Sequence, residues 1–156
     1  MFEVKDGART LQFNGILLGE SSSYRRGSTR WIEFALYRTE SGSYVLSRVG
    51  VSLVFHGAAC PLVRRYSLIE GLPKDLDEDA IPCEECNPNR HLPVVFPEKY
   101  RNWAQVFERA ETVLDALYKY DNKGSEYLTN VAKKLLEVSS DKDRAIENVY
   151  MIEIIL

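Results

Sequence analysis

Residues 30–55 read RWIEFALYRTESGSYVLSRVGVSLVF, and this stretch decides the fold. Over residues 30–39, Ile32, Phe34 and Leu36 fall on one side of an extended chain, and Trp31, Glu33 and Tyr37 on the other. A period of two in aromatic and branched side chains predicts a half-buried strand. Glu40-Ser41-Gly42-Ser43 supplies a turn, and residues 44–55 return with Val49, Val51, Leu53 and Phe55 alternating on one side. The two segments predict an antiparallel hairpin.

Upstream, Phe2 and Val4 alternate with Glu3 and Lys5, and Asp6-Gly7 is a type I′ hairpin signal. Leu11 and Phe13 alternate with Gln12 and Asn14 on the returning strand, and Gly15 bends or bulges it before Ile16-Leu17-Leu18. Residues 21–29 (SSSYRRGST) are polar and predict a loop, and residues 62–69 are a candidate fifth strand. Downstream, residues 61–97 hold all six prolines, which resist ladder pairing, so most of that stretch is expected to be irregular. From Pro97 the period changes to 3.6. Trp103, Val106, Phe107, Ala110, Val113, Leu114 and Leu117 trace one stripe of a helix over about 98–120. Ser125 is placed to cap a second helix with the face Leu128, Val131, Ala132, Leu135 and Leu136. Ser140 with Asp143 resembles a capping box for a third helix bearing Ala145, Ile146 and Val149, while residues 150–156 fit helix or strand.

Strands, then irregular chain, then helices predict an α+β fold rather than alternating α/β. The expected organisation is one compact domain. Residues 1–96 form an antiparallel sheet of four or five strands with a Cys/His-containing connection, and residues 97–156 form two or three helices packed on it. The chain has 156 residues, 45% hydrophobic and 28% charged, which suits a packed core and excludes global disorder. No run of 18 apolar residues is present, so no transmembrane helix is expected. The opening MFEVKDGART has neither a basic nor an apolar leader region, which predicts a cytoplasmic protein.

Net charge is −3, which argues against coating nucleic acid through bulk positive charge. The charge is uneven: residues 1–70 carry 9 Lys+Arg against 6 Asp+Glu, and residues 71–156 carry 11 against 17. A local basic face is therefore available. Tyr24, Arg25, Arg26, Arg30 and Trp31 mix arginines, which contact phosphates, with aromatic rings, which stack on bases. Ordinary solvated loop charges are the plainer reading of the same residues. Glu33 and Glu108 read as solvated acids.

The three cysteines and two histidines all lie between His56 and His91. Cys83-Glu84-Glu85-Cys86 places two thiolates on one side of a tight loop, half of a tetrahedral zinc site. The preferred ligand set is Cys60, Cys83, Cys86 and His56, with His91 as the alternative fourth ligand. Such a site would pin the proline-rich connection to the sheet and contribute folding free energy. Free thiols in a reducing cytoplasm are the simpler alternative. A redox pair is disfavoured because Glu84 and Glu85 raise the thiol pKa.

Residues 9–20 (RTLQFNGILLGE) and 36–55 (LYRTESGSYVLSRVGVSLVF) together resemble short bacterial proteins labelled EXLDI, found in plasmid-like or chromosomal elements. That resemblance implies a small bacterial cytoplasmic protein and carries no activity. Neither a nucleophile elbow, a phosphate loop nor a paired-histidine metalloprotease motif occurs in the chain. The expected function is a zinc-stabilised, non-enzymatic binding or regulatory module of a bacterial, phage or mobile-element system, engaging a protein or nucleic acid. No membrane partner is expected. The alternative is a small metal-dependent hydrolase with an open zinc position. The apolar tail from Met151 to Leu156 is a candidate contact with a second copy.

Overall fold

The hairpin expected from residues 30–55 forms over 30–52, Leu53 and Phe55 lying outside the described residues. β4 (Arg30–Thr39) and β5 (Tyr44–Ser52) are neighbours in one sheet. Gly42 closes their turn with a φ of 90°, a value that side-chain-bearing residues rarely adopt. Thr39 Oγ1 and Ser43 Oγ pair at 2.7 Å across the turn. The computed structural model describes residues 1–28, 30–52 and 99–156. The candidate strand at 62–69 and the proline-rich connection lie outside the described residues.

The first hairpin also forms, from β1 (Phe2–Asp6) and β2 (Arg9–Phe13), as a separate two-stranded sheet. Its loop is Gly7-Ala8, one residue later than expected, because Asp6 pairs with Arg9. Gly7 takes a φ of 58° at the first loop position, the placement that a type II′ turn demands rather than type I′. After Asn14 the chain enters β3 (Gly15–Ser22), antiparallel to β4. Gly15 marks the change of sheet for a steric reason: a Cβ there would lie 2.1 Å from the carbonyl oxygen of Arg38. The expected irregularity appears a little further on, as a register shift between Leu17 and Gly19.

The fourth strand corrects the sequence reading. Residues 99–107 are not the first half of a helix; they are β6 (Lys99–Phe107), which completes the order β3-β4-β5-β6. The sheet is antiparallel. Ala104 is buried between exposed Trp103 and Gln105, a strand's alternation. Aromatic and branched side chains (Tyr100, Trp103, Val106, Phe107) suit a pleated surface, and the open edge of β5 offers a nine-residue ladder. Only α1 (Ala110–Leu117) keeps the expected stripe, burying Ala110, Val113 and Leu117.

Two caps also differ. Ser125 lies in a small hairpin of β7 (Lys119–Tyr120) and β8 (Glu126–Tyr127), where Asp121 Oδ1 accepts from the N–H groups of Lys123 and Ser125. Thr129 caps the second helix instead, accepting from Ala132 N at 3.3 Å. That helix is α2 (Asn130–Ser140), and it buries Ala132, Leu135 and Leu136 as expected. Ser140 ends α2, its hydroxyl donating back to Leu136 O, so it cannot cap the third helix. Asp143 does so, for α3 (Arg144–Ile146), which continues as a π-helical turn over Glu147–Met151. Ile152 is extended, with φ −120° and ψ 122°.

Two compact units are distinguished. One comprises 1–24, 32–49 and 102–156; the other comprises 25–31 and 50–101. In the first, the two faces of the sheet are covered differently. Leu18, Phe34, Leu36, Tyr44 and Leu46 pack with Val113, Leu117, Leu135, Leu136 and Ile146 of the helices. The opposite face holds a smaller cluster of Val4, Val45 and Ala104, with Leu11, Phe13 and Tyr37 at its margin. The rings of Phe2, Phe13 and Tyr37 meet in tilted and edge-to-face contacts at centroid distances of 4.9 to 5.8 Å. Among the described residues no helix is long and apolar enough to cross a membrane.

Candidate functional site

Cys60, Cys83, Cys86, His56 and His91 all lie outside the described residues. The basic candidates fall in both units and are taken separately. In the first unit Tyr24 is 53% exposed, and its N–H donates to Ser22 Oγ at 3.1 Å. In the second unit residues 25–28 close a tight turn. Ser28 N donates to Arg25 O at 2.8 Å, and Arg25 N donates to Ser28 Oγ at 2.9 Å. Gly27, with φ 88°, occupies the third position, the place where a type II turn requires a residue of positive φ. The turn therefore holds Arg25 and Arg26 at its tip, both exposed and neither ion-paired among the described residues. Arg30 and Trp31 are half-buried at the start of β4.

A groove of about 620 Å³ lies in the first unit, on the sheet face that the β1–β2 hairpin only partly covers. Glu3, Val4 and Lys5 of β1 form one wall. Its floor includes Ala35, Ser47 and Val49, and Glu20, Glu33 and Tyr37 line it as well. Glu3 accepts from Gln12 Nε2 at 2.6 Å, a neutral partner that leaves its charge in place. Lys5 Nζ donates to Thr10 Oγ1. Burial raises the pKa of the Tyr37 phenol, and the nearby Glu20 carboxylate raises it further. Glu33, read from sequence as a solvated acid, belongs to this wall of carboxylates. No local pattern reveals the groove, because β1, β3, β4 and β5 meet there only through the sheet register.

On the helix side a polar group is sealed in. Asp143 Oδ2 accepts from Arg38 Nη1 at 2.8 Å, and Asp143 Oδ1 accepts from Tyr44 Oη and Ile146 N, each at 3.0 Å. The Arg38 guanidinium also stacks 5.0 Å from the centroid of the Tyr44 ring. Burial, followed by the hydrogen bond to Asp143 and that residue's charge, pushes the Tyr44 phenol up to about 12. Both Asp143 oxygens and the Tyr44 hydroxyl are engaged within this trio, which fastens α3 to β4 and β5. The sequence flagged Asp143 only as part of a capping box; its partners are 99 and 105 residues away.

Ile152, Ile154, Ile155 and Leu156 of the tail are exposed. Among the described residues no group of three or more His, Cys, Asp or Glu is arranged to hold a metal ion. No family model, curated protein or solved structure matches the chain.

Proposed function

We propose that the chain is a small, non-enzymatic binding module that presents a preformed basic turn to an anionic partner, single-stranded nucleic acid being the chemistry it suits. The observation that supports this reading is the hydrogen-bonded turn at 25–28, which holds two exposed arginines without internal ion pairs among the described residues. A turn already in place loses less conformational entropy on binding than a flexible loop. Arginine contacts phosphate in a bidentate manner, and the aromatic residue Trp31 of the same unit suits base stacking. Structural zinc on Cys60, Cys83, Cys86 and His56, with His91 as the alternative ligand, is part of the proposal. A bacterial or mobile-element setting, as the resemblance to EXLDI proteins implies, is part of the same proposal.

Fluorescence anisotropy of a labelled single-stranded oligonucleotide with the full chain tests the reading. Affinity is expected to fall as salt rises, by about 0.7 log units per log unit of salt for each phosphate contact. Replacing both Arg25 and Arg26 by alanine is expected to reduce that slope by about 1.4. No binding, or binding indifferent to salt, rejects the proposal. Metal analysis of the purified chain tests the zinc: a content below about half an equivalent removes it.

A further inference from the structure

Among the described residues, β1 pairs through one of its two edges. Asp6 and Arg9 flank a two-residue loop, so they exchange both backbone hydrogen bonds. Bonding then alternates along the strand. Phe2, Val4 and Asp6 bond to β2, while the N–H and C=O groups of Glu3 and Lys5 point away from it. These outward groups have no strand partner among the described residues, since β1 and β2 form a sheet of two. The outer edge of β6 is treated differently. Gly7 N donates to Asn102 O at 2.7 Å, and Ala104 N donates to Asp6 Oδ1 at 3.3 Å. The hairpin turn thus blunts one sheet edge and leaves its own open.

The open edge borders the groove, because Glu3, Val4 and Lys5 line it. We propose that this groove binds an extended basic segment of a protein partner, which adds to β1 as a third strand. Main-chain bonds to Glu3 and Lys5 supply the pairing, and alternate side chains of the segment meet the small and apolar floor at Ala35, Ser47 and Val49. The charge selects a basic segment: Glu3, Glu20 and Glu33 line the groove against a single ammonium, Lys5, so carboxylates outnumber it. A volume of about 620 Å³ lies within the range of roughly 300–1,000 Å³ usual for ligand clefts. This site is independent of the arginine turn and takes a partner of opposite charge.

The test uses the full chain and two labelled peptides, an alternating Lys-Val heptapeptide and its Glu-Val counterpart, followed by anisotropy. The basic peptide is expected to bind at least about 10-fold tighter. Lys5→Pro removes an outward N–H and no ladder bond, a substitution that strand edges accept, and is expected to weaken basic-peptide binding about 10-fold. Oligonucleotide binding at the arginine turn stays unchanged in that variant. Glu3→Gln with Glu20→Gln is expected to weaken the basic peptide and flatten its salt dependence. Amide exchange keeps the proposal falsifiable if Lys5→Pro does not fold: the Glu3 and Lys5 amides must slow when basic peptide is added to the unaltered chain. Equal affinity for the two peptides, or no slowing at those two amides, overturns it. So does a dimer seen by sedimentation that forms through β1 and excludes the peptide.

Discussion

The two faces of the four-stranded sheet have been finished in different ways. On the helix face, Leu18, Leu36, Leu46, Leu135, Leu136 and Ile146 are all essentially inaccessible to water. On the hairpin face the buried cluster is Val4, Val45 and Ala104, three small residues, and beside it the groove stays open. A face closed by helices maximises apolar burial, and burial scales with stability. A face half-covered by a two-stranded hairpin gives up some of that burial and retains a cleft and, among the described residues, an unpaired strand edge. Stability and recognition are thereby separated onto opposite sides of one sheet.

The largest expected effect tests that division directly. Leu36→Ala, at a site with 0% exposure, should cost about 3–4 kcal/mol in chemical denaturation, through lost transfer free energy and a residual cavity. Val4→Ala on the other face should cost about 1–2 kcal/mol, from roughly 0.8 kcal/mol per buried methylene. Equal costs would break the comparison.

Next comes the polar trio. Asp143→Ala removes the cap of α3, leaves the Tyr44 hydroxyl without its acceptor and breaks the ion pair to Arg38. Arg38 is 39% exposed, so water screens much of its share. A loss of about 3 kcal/mol is expected, most of it from the cap and the stranded hydroxyl. The same trio sets an alkaline limit. Tyr44 ionises near 12 in the folded chain, against about 10 when unfolded. Between those values the folded state binds more protons, so the contribution is complete below pH about 10 and is lost as pH rises through 12. Tyr44→Phe should flatten the fall in stability over that window, measured by denaturant midpoints; an unchanged slope would locate the alkaline sensitivity elsewhere.

The smallest effect sharpens the picture of the helix face. Ser139 Oγ is buried with no hydrogen-bond partner among the described residues, at the place where α2 meets Gly19. Ser139→Ala removes an unsatisfied polar atom and should raise stability by up to about 1 kcal/mol. A loss of that size would instead reveal a partner for the hydroxyl.

Much of the fold was legible from the sequence because its signals are local. The hairpin over 30–52, the turn at Gly7, the break at Gly15 and the apolar stripes of α1 and α2 follow from side-chain period and from glycine's freedom of φ. Residues 99–107 depart from the helix their spacing predicts because Trp103, Val106 and Phe107 satisfy a helical spacing as well as a strand's, and the edge of β5 decides between them. Ser125 and Ser140 are sound caps in isolation, but a hairpin claims one and the last turn of α2 claims the other. The arginine turn was visible as a polar, glycine-bearing loop; the groove was not, since four strands contribute to it.

By themselves, the order and periodicity of the residues determined an α+β protein with an antiparallel sheet followed by helices, because amphipathic period and turn chemistry act over a few residues. Only the tertiary structure decided that the aromatic run at 99–107 would be a strand, that Asp143 would meet Arg38 and Tyr44, and that β1 would keep one edge unpaired, among the described residues, beside a carboxylate-lined groove. Those outcomes depend on which backbone edges and charges meet across about a hundred residues of chain, and that meeting is set by packing the whole sheet at once.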